Sequence, residues 1–371
     1  MDKQKATPRY QGIKVTMVTG FLGAGKTTLI RHILQQAPAN ERWAVLVNEF
    51  GDIGLDGAFY SDLGVAIKEV PGGCVCCVTS AAFQQGLNKL ICEQNPDRIF
   101  IEPSGLGHPK QIIQKLRSQT YQDVLLLTGV ICVLDARNLQ DERYTEHELF
   151  NDQIESAHGI VFSHVDLYDE SDIVALNERF GVIEGNSLES KLNPQLFYAT
   201  SMEFSHEDLD LGLEDIQQTS SLEKAPEQSH SHDHGHSHDH SHTHDHSHSH
   251  DHEHSHKDDA ESDQFTSVNG KSIAVSSYQK CQDSMMVAGW RWPLNTHFSV
   301  TELESVIKNI AKIEGVYRIK GVFSIDDNEA AFVNVSRGEV SIRLSQWQQD
   351  SRMEVIGNLA NDWLTKIILP A

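Results

Sequence analysis

The sequence predicts an α/β protein with a mostly parallel sheet, then a disordered histidine-rich linker, then a small α+β domain. Three observations predict it. Short apolar runs alternate with helix-like stretches over the first 200 residues. A strand, a glycine-rich turn and a helix follow one another between residues 13 and 36. Composition then changes abruptly between Ser229 and Lys257, where histidine becomes the commonest residue.

Buried strands are expected at Ile13–Thr19, Trp43–Asn48, Arg98–Glu102, Thr128–Asp135, Gly159–Ser163 and Leu196–Thr200. Runs such as Thr27–Gln36 and Lys110–Ser118 read as the helices between them. Alternating strands and helices imply a parallel sheet covered on both faces. From Ser229 to Lys257 histidine takes every second position: His230, His232, His234, His236, His238, His240, His242, His244, His246, His248, His250, His252, His254 and His256. Serine and aspartate fill most gaps, so the segment has almost nothing to bury and is expected to be disordered. Past Gln264, strands are expected at Ser272–Ser277, Met285–Trp292, Gly315–Ser324, Ala331–Val335 and Ser341–Leu344. Phe298–Ile313 and part of Asp350–Leu364 read as helical. The division is therefore a nucleotide domain over 1–220, a metal-binding linker over 221–263 and a third segment over 264–371.

A chain of 371 residues has room for two domains. Its formal charge is −23, from 30 basic and 53 acidic residues. Phosphate backbones demand a basic surface, so nucleic acid is not expected as a partner. The start, MDKQKATPRYQG, lacks the apolar core of a signal peptide. No apolar run approaches the ~20 residues that span a membrane. A soluble cytoplasmic protein without a membrane partner is expected, in a compartment where thiols stay reduced.

Gly20-Phe21-Leu22-Gly23-Ala24-Gly25-Lys26-Thr27 follows a strand and opens a helix, matching G-x-x-x-x-G-K-[ST] in its confirming context. This is the phosphate loop of a P-loop NTPase. Glycines allow a tight turn whose amides face phosphate oxygens at the positive end of a helix. Lys26 would reach the β- and γ-phosphates, Thr27 would ligate Mg²⁺, and Thr28 completes the expected contacts. Glu102 closes the strand RIFIE and could hold Mg²⁺ or its waters, or be a solvated strand-end residue. Gly105 could offer an amide to the γ-phosphate, making its loop sense hydrolysis.

Base selection falls to Ser163-His164-Val165-Asp166, at the place where guanine-specific proteins commonly carry Asn-Lys-x-Asp. Asp166 could accept two hydrogen bonds from guanine. Ser163 and His164 stand where asparagine and lysine are usual, and His164 reads more readily as a polar surface residue. Ala199, Thr200 and Ser201 could line the base from the next strand.

Residues 72–77 read GGCVCC and hold three of the six cysteines. Disulfides between such near neighbours would close strained rings. Cys74, Cys76 and Cys77 suit Zn²⁺, with a carboxylate, histidine or water completing a tetrahedron; a buried or redox-active thiol cluster is the alternative. Cys92, Cys132 and Cys281 stand alone and read as packing residues. The acidic stretch Asn48–Asp56, with Glu49 and Asp52, lies where P-loop GTPases keep a nucleotide-sensing switch. If both segments approach the γ-phosphate, nucleotide state and metal affinity become linked. The histidine tract has no fixed geometry and should bind metal weakly at overlapping sites. Its side chains are largely neutral at pH 7, with a pKa of ~6.5, and Asp233, Asp239, Asp245 and Asp251 enrich cations around them.

With GFLGAGKTT, NEFG, GGCVCC and IEPSGLGHP in place, the chain resembles the CobW-type metallochaperone GTPases. WAVLVNEFG and GLGHPKQI make it most similar to the zinc-binding YeiR branch, and the segment after residue 264 looks like the CobW carboxyl-terminal domain. The resemblance implies a slow GTPase using GTP, Mg²⁺ and Zn²⁺, which hands metal to metal-requiring client proteins as a monomer or metal-dependent oligomer. It implies a Cys-x-Cys-Cys metal motif at Cys74, Cys76 and Cys77, with Glu49 as switch acid. Lys26 would act on the phosphates, and Glu49 or Glu102 would orient water. Some relatives carry a glutamate at Val47, which cannot ligate here, so the site leans on the cysteines and Asp52. No arginine finger is evident in the motifs. Thiolate-rich sites accept several divalent metals, so cobalt or iron insertion and a zinc buffer with incidental nucleotide binding stand as alternatives.

Overall fold

The computed structural model describes residues 10–48, 57–60, 63–70, 81–181, 194–198, 204–212, 262–268, 271–282 and 284–370. Its first half is a sheet of seven parallel strands: β1 (Ile13–Thr19), β2 (Trp43–Asn48), β3 (Ala66–Val70), β4 (Arg98–Glu102), β5 (Leu125–Asp135), β6 (Gly159–Ser163) and β7 (Gln195–Tyr198). They lie in the order β3-β2-β4-β1-β5-β6-β7. The chain moves outward on both sides of β1, so the carboxyl end of this central strand opens the crevice where such sheets bind ligands.

Helices α1 (Lys26–Leu34), α2 (Ala81–Gln94), α3 (Pro109–Leu116), α4 (Glu142–Thr145), α5 (Glu148–Glu155) and α6 (Glu170–Phe180) belong to this half. Successive strand residues serve opposite faces. Val15, Met17, Leu46, Ile99 and Ile101 pack with Phe83, Leu87 and Ile112 on one side. Val18, Val45, Phe100, Val133 and Val161 pack with Ile30 and Ile33 on the other. Burial on both faces explains the apolar runs WAVLV in β2 and IFI in β4.

Strand β5 begins at Leu125, earlier than the expected Thr128, because Leu125–Leu127 already pair with Ile13–Val15. Strand β3, AIKEV, has too mixed a composition to stand out, and its pairing with β2 makes it a strand.

An ion-pair cluster ties the amino ends of β1 and β4 to the short helix His206–Asp210. The buried Arg98 donates to Asp210 Oδ1 at 2.7 Å and to Thr16 Oγ1 at 2.6 Å, and Lys14 Nζ lies 2.5 Å from Asp210 Oδ2. Burial opposes charge on Asp210, but the hydrogen bonds and positive charges of Lys14 and Arg98 outweigh it and hold the carboxyl below its usual range.

The second half is an antiparallel sheet of seven strands in the order β13-β12-β11-β14-β10-β9-β8. These are β8 (Ser262–Val268), β9 (Lys271–Gln282), β10 (Met285–Arg291), β11 (Val316–Ser324), β12 (Glu329–Ser336), β13 (Glu339–Gln346) and β14 (Arg352–Asn358). Strand β8 lies before the first strand expected, Ser272–Ser277, and its pairing with β9 makes it one. Helix α7 (Val300–Ala311) covers one face, packing Leu303, Ile307 and Ile310 on Ile319, Phe323, Val333 and Val355. The opposite face, through Val287, Val322, Phe332 and Ile356, joins Phe21, Leu22, Tyr144 and Phe150 of the first half in one apolar cluster. The expectation of helix within Asp350–Leu364 is corrected: Arg352–Asn358 is β14, and only Leu364–Lys366 forms a short 3-10 turn. This strand sits between β10 and β11, bonded on both sides, and that pairing overrides local propensity.

Asp210→Asn should lower stability by about 2 kcal/mol at pH 7, since it leaves the buried Arg98 without its anionic partner. A native carboxyl held low stabilises above its unfolded pKa of ~4 and stops doing so as pH falls through its native value. Urea melts should therefore show the wild-type advantage at pH 7 and its loss in acid.

Candidate functional site

The chain leaves β1 at Thr19 and turns through glycines before α1 begins at Lys26. Gly20 has φ of 140°, and a Cβ there would meet the Val133 carbonyl oxygen at 2.4 Å. Gly25 precedes α1 in the left-handed region, at φ 99°. Both positions need glycine. Phe21 and Leu22 are buried in the apolar cluster shared with the second sheet, and Ala24 is buried under α1. These three offer a ligand their backbone rather than their side chains.

Lys26 is 4% exposed, and its Nζ donates to the Gly20 carbonyl at 2.8 Å and the Phe21 carbonyl at 3.3 Å. Burial, then the nearby Arg318, lower its pKa to about 8, while Glu102 and Cys132 act in the other direction. Thr27 Oγ1 donates to Glu102 Oε1 at 2.8 Å, and Tyr60 donates to Glu102 Oε2. Burial first, and then the Glu102 charge, raise the Tyr60 hydroxyl well above its ordinary value. Glu102 is 1% exposed, so the alternative of a solvated strand-end glutamate is corrected. Hydroxyl and carboxylate oxygens side by side, beside a lysine in a glycine cradle, are the hard donors that suit Mg²⁺ with a nucleotide.

Gly105 lies against the phosphate loop: a Cβ there would come within 2.9 Å of the Leu22 side chain and 3.0 Å of its nitrogen. The buried Gln153 donates to the Gly105 carbonyl at 3.0 Å, a positioning contact from α5 that no sequence motif signals.

Beside the phosphate loop a cavity of about 340 Å³ is lined by Gly25, Thr28, Leu29, His32, Val133, Val161, Ser163, His164, Asp166 and Phe204. Its size, apolar walls and single carboxylate suit a nucleobase. His164 is left-handed at φ 56°, with Nδ1 3.0 Å from Ser163 Oγ and 3.5 Å from Asp135 Oδ2. It lines the cavity with its side chain 35% exposed, in keeping with a polar surface residue. His32 could have been found from the sequence, one helical turn beyond Thr28. Phe204 carried no signal, being brought in from beyond β7.

Residues 14–187 match the family described as CobW/HypB/UreG, nucleotide-binding domain, and residues 287–368 match the cobalamin synthesis protein cobW C-terminal domain. The zinc chaperone YeiR of Escherichia coli (strain K12) is 33% identical over 353 residues, 94% of this chain and 94% of that one. This chain belongs to the CobW/HypB/UreG family. The zinc chaperone YjiA of the same organism is 34% identical over 207 residues, 54% of this chain and 60% of that one. The zinc-regulated GTPase metalloprotein activator 1 of Schizosaccharomyces pombe is 32% identical over 166 residues, 42% and 39% of the two chains.

The other expected CobW-type residues divide by position. Glu49, Asp52, Cys74, Cys76, Cys77, Ala199, Thr200, Ser201 and the histidines from His230 to His256 lie outside the described residues. Among the described residues no group of three or more His, Cys, Asp or Glu could hold a metal ion, and no helix is long and apolar enough to cross a membrane. Val47 is fully buried in the core. Cys132 is buried, and burial pushes its thiol up to about 12. Cys92 and Cys281 are exposed, which corrects their reading as packing residues.

Asp166→Ala should weaken GTP binding about a hundredfold, by removing two charge-assisted hydrogen bonds to the base at ~1.5 kcal/mol each, and leave ATP binding unchanged. Parallel titrations with the two nucleotides check this.

Proposed function

We propose that the protein is a GTP-hydrolysing zinc metallochaperone that holds Zn²⁺ at Cys74, Cys76 and Cys77 and passes it to client proteins under GTP control. The observation that carries this reading is the Glu102 carboxylate, shared between Thr27 and Tyr60. Thr27 is the magnesium position of the phosphate loop, and Tyr60 ends the short helix Gly57–Tyr60 that follows the acidic stretch. A change at the nucleotide is thereby felt where the switch segment rejoins the fold.

The ends of three strands support the same reading. Asn48 pairs with Val70, and Val47 pairs with Glu102, so β2, β3 and β4 finish level at the carboxyl edge of the sheet. Glu49 is the next residue after Asn48. Cys74 is four residues past Val70, within about 14 Å by chain length alone. The segments that carry the acid and the thiols thus start from the adjacent ends of β2 and β3, on the edge of the sheet from which the phosphate loop leaves β1. Thiolates bind Zn²⁺ strongly, with Glu49 or Asp52 available to complete four ligands. The names of the similar proteins, zinc chaperones and a metalloprotein activator, point to the same cargo and to metal-requiring clients.

In hydrolysis Lys26 would hold the β- and γ-phosphates, Thr27 and Glu102 would hold Mg²⁺ or its waters, and Glu49 or Glu102 would orient the attacking water. Bound there, Mg²⁺ would supply positive charge for the transferring phosphoryl group. The histidine tract gathers zinc in the cytoplasm for the cysteine site.

Coupling between two sites is typically worth ~1–3 kcal/mol, or ~5–150-fold in affinity. Zn²⁺ affinity measured against a chelator should therefore differ at least about fivefold among the GTP, GDP and nucleotide-free forms. Equal affinities in all three would leave a zinc buffer with incidental nucleotide binding. Lys26→Ala should abolish hydrolysis and keep zinc binding. Removal of residues 230–256 should lower zinc stoichiometry while one tight site remains, as equilibrium dialysis reads it; loss of all tight binding would move the site into the tract.

A further inference from the structure

A second cavity, of about 250 Å³, lies between the phosphate loop and the second sheet. From the first half it is lined by Gly23, Lys26, Thr27, Arg31, Phe59 and Glu102. From the second it is lined by Arg318, Lys320, Phe332, Asn334, Ser341 and Arg343. Among its described lining residues five are cations and one is a carboxylate, within a chain whose formal charge is −23. Positive side chains gathered beside the phosphate loop suit an anionic ligand.

The register shows how the second sheet delivers these side chains. Lys320 pairs with Asn334 on β12, and Asn334 pairs with Ser341 on β13, so the three form one row across the sheet. Arg318 stands two residues from Lys320 on the same face, and Arg343 two residues from Ser341. This is the face away from α7, the one laid on the first half. Contact with the phosphate loop is direct: a Cβ on Gly23 would fall 1.8 Å from Ser336 Oγ of β12. Arg137 donates to Glu339 at 2.7 Å, and Arg337 donates to Asn138 at 2.5 Å, fastening the same edge.

Lys320 is only 6% exposed, and its Nζ lies 4.9 Å from the centre of the Phe59 ring. Phe332 meets the same ring edge-on at 5.4 Å, and Arg31 donates to the Phe59 carbonyl. Glu354, the cross-strand partner of Lys320 on β14, extends the row on the same face, accepts from Tyr278 and is not among the cavity's lining residues. The cavity sets Arg318, Lys320 and Arg343 across from Lys26 and Thr27 of the phosphate loop.

We propose that Arg318, Lys320 and Arg343 form the second half of the nucleotide site and bind the terminal phosphate of a nucleoside triphosphate in cis. The carboxyl-terminal sheet is then clamped on the phosphate loop by a triphosphate and released by a diphosphate. Through Phe59 the same clamp reaches the short helix that follows the acidic stretch. The positive charge that the motifs of the first domain do not supply comes from the second. This inference rests on GTP being the ligand of the phosphate loop.

Full-length protein should be titrated with GDP and with a non-hydrolysable GTP analogue, both with Mg²⁺. Lys320→Met keeps the buried stem without its charge. Arg343→Ala changes an exposed position on the edge strand β13 and leaves the fold intact. Arg318→Lys keeps the charge at its position and should retain most of the affinity. Each of the first two should weaken the GTP analogue about tenfold, the worth of one charge-assisted hydrogen bond, and shift GDP less than about twofold. An equal loss for both nucleotides, or no loss for either, would overturn the proposal. Wild-type protein that bound neither nucleotide would overturn the GTP reading itself.

Discussion

The Glu102 carboxylate is the interaction on which the rest of the site depends. It is 1% exposed at the end of a fully buried strand, and Thr27 and Tyr60 donate to both of its oxygens. Without such donors a buried carboxylate loses the hydrogen bonds that offset its removal from water. The two donors come from different elements, the start of α1 and the short helix Gly57–Tyr60. One acid thereby sets the spacing of the phosphate loop, of β4, and of the point where the chain re-enters the fold after the acidic stretch.

Around this carboxylate the molecule arranges cations in two layers. Lys26 belongs to the phosphate loop and is local in sequence. Arg318, Lys320 and Arg343 come from strands some three hundred residues away and reach the same cavity because the second sheet is amphipathic in an unusual way. One of its faces is apolar throughout and holds α7. The other is apolar where it packs on Phe21, Tyr144 and Phe150, and charged toward the β11 to β13 side, over the phosphate loop. Apolar packing beside the charges limits water there, and exclusion of water strengthens whatever electrostatic interaction takes place inside.

Parts of this architecture were plain in the linear sequence because their physics is local. The phosphate loop was legible since a strand, a glycine turn and a helix N-terminus must be adjacent for backbone amides to converge on a phosphate. Strands β1, β2, β4 and β6 appeared with the observed bounds because both faces of a parallel sheet are buried, leaving apolar runs such as WAVLV and IFI. Strand β14 was misread because its identity depends on β10 and β11, which flank it in space and precede it in sequence. The place of His164 could not be read for the same kind of reason: a histidine after a strand is ordinary until Ser163 and Asp135 are seen beside its ring at the edge of a cavity. The exposure of Cys92 and Cys281 likewise follows from which helix and strand faces found a neighbour.

By itself, the sequence determined the P-loop α/β class, the triphosphate chemistry of Gly20–Thr28, the importance of Glu102 and the crowding of thiols at Cys74, Cys76 and Cys77. Each is a matter of residue type at close spacing, which a chain carries wherever it folds. Only the tertiary structure decided that Glu102 is buried and bonded to Thr27 and Tyr60, that Phe204 and His32 wall the base pocket, and that the second sheet turns its basic face to the phosphate loop. Those facts depend on which faces of which elements meet. In a two-domain protein, that is settled by burial across the interface and by the pairing of charges far apart in the chain.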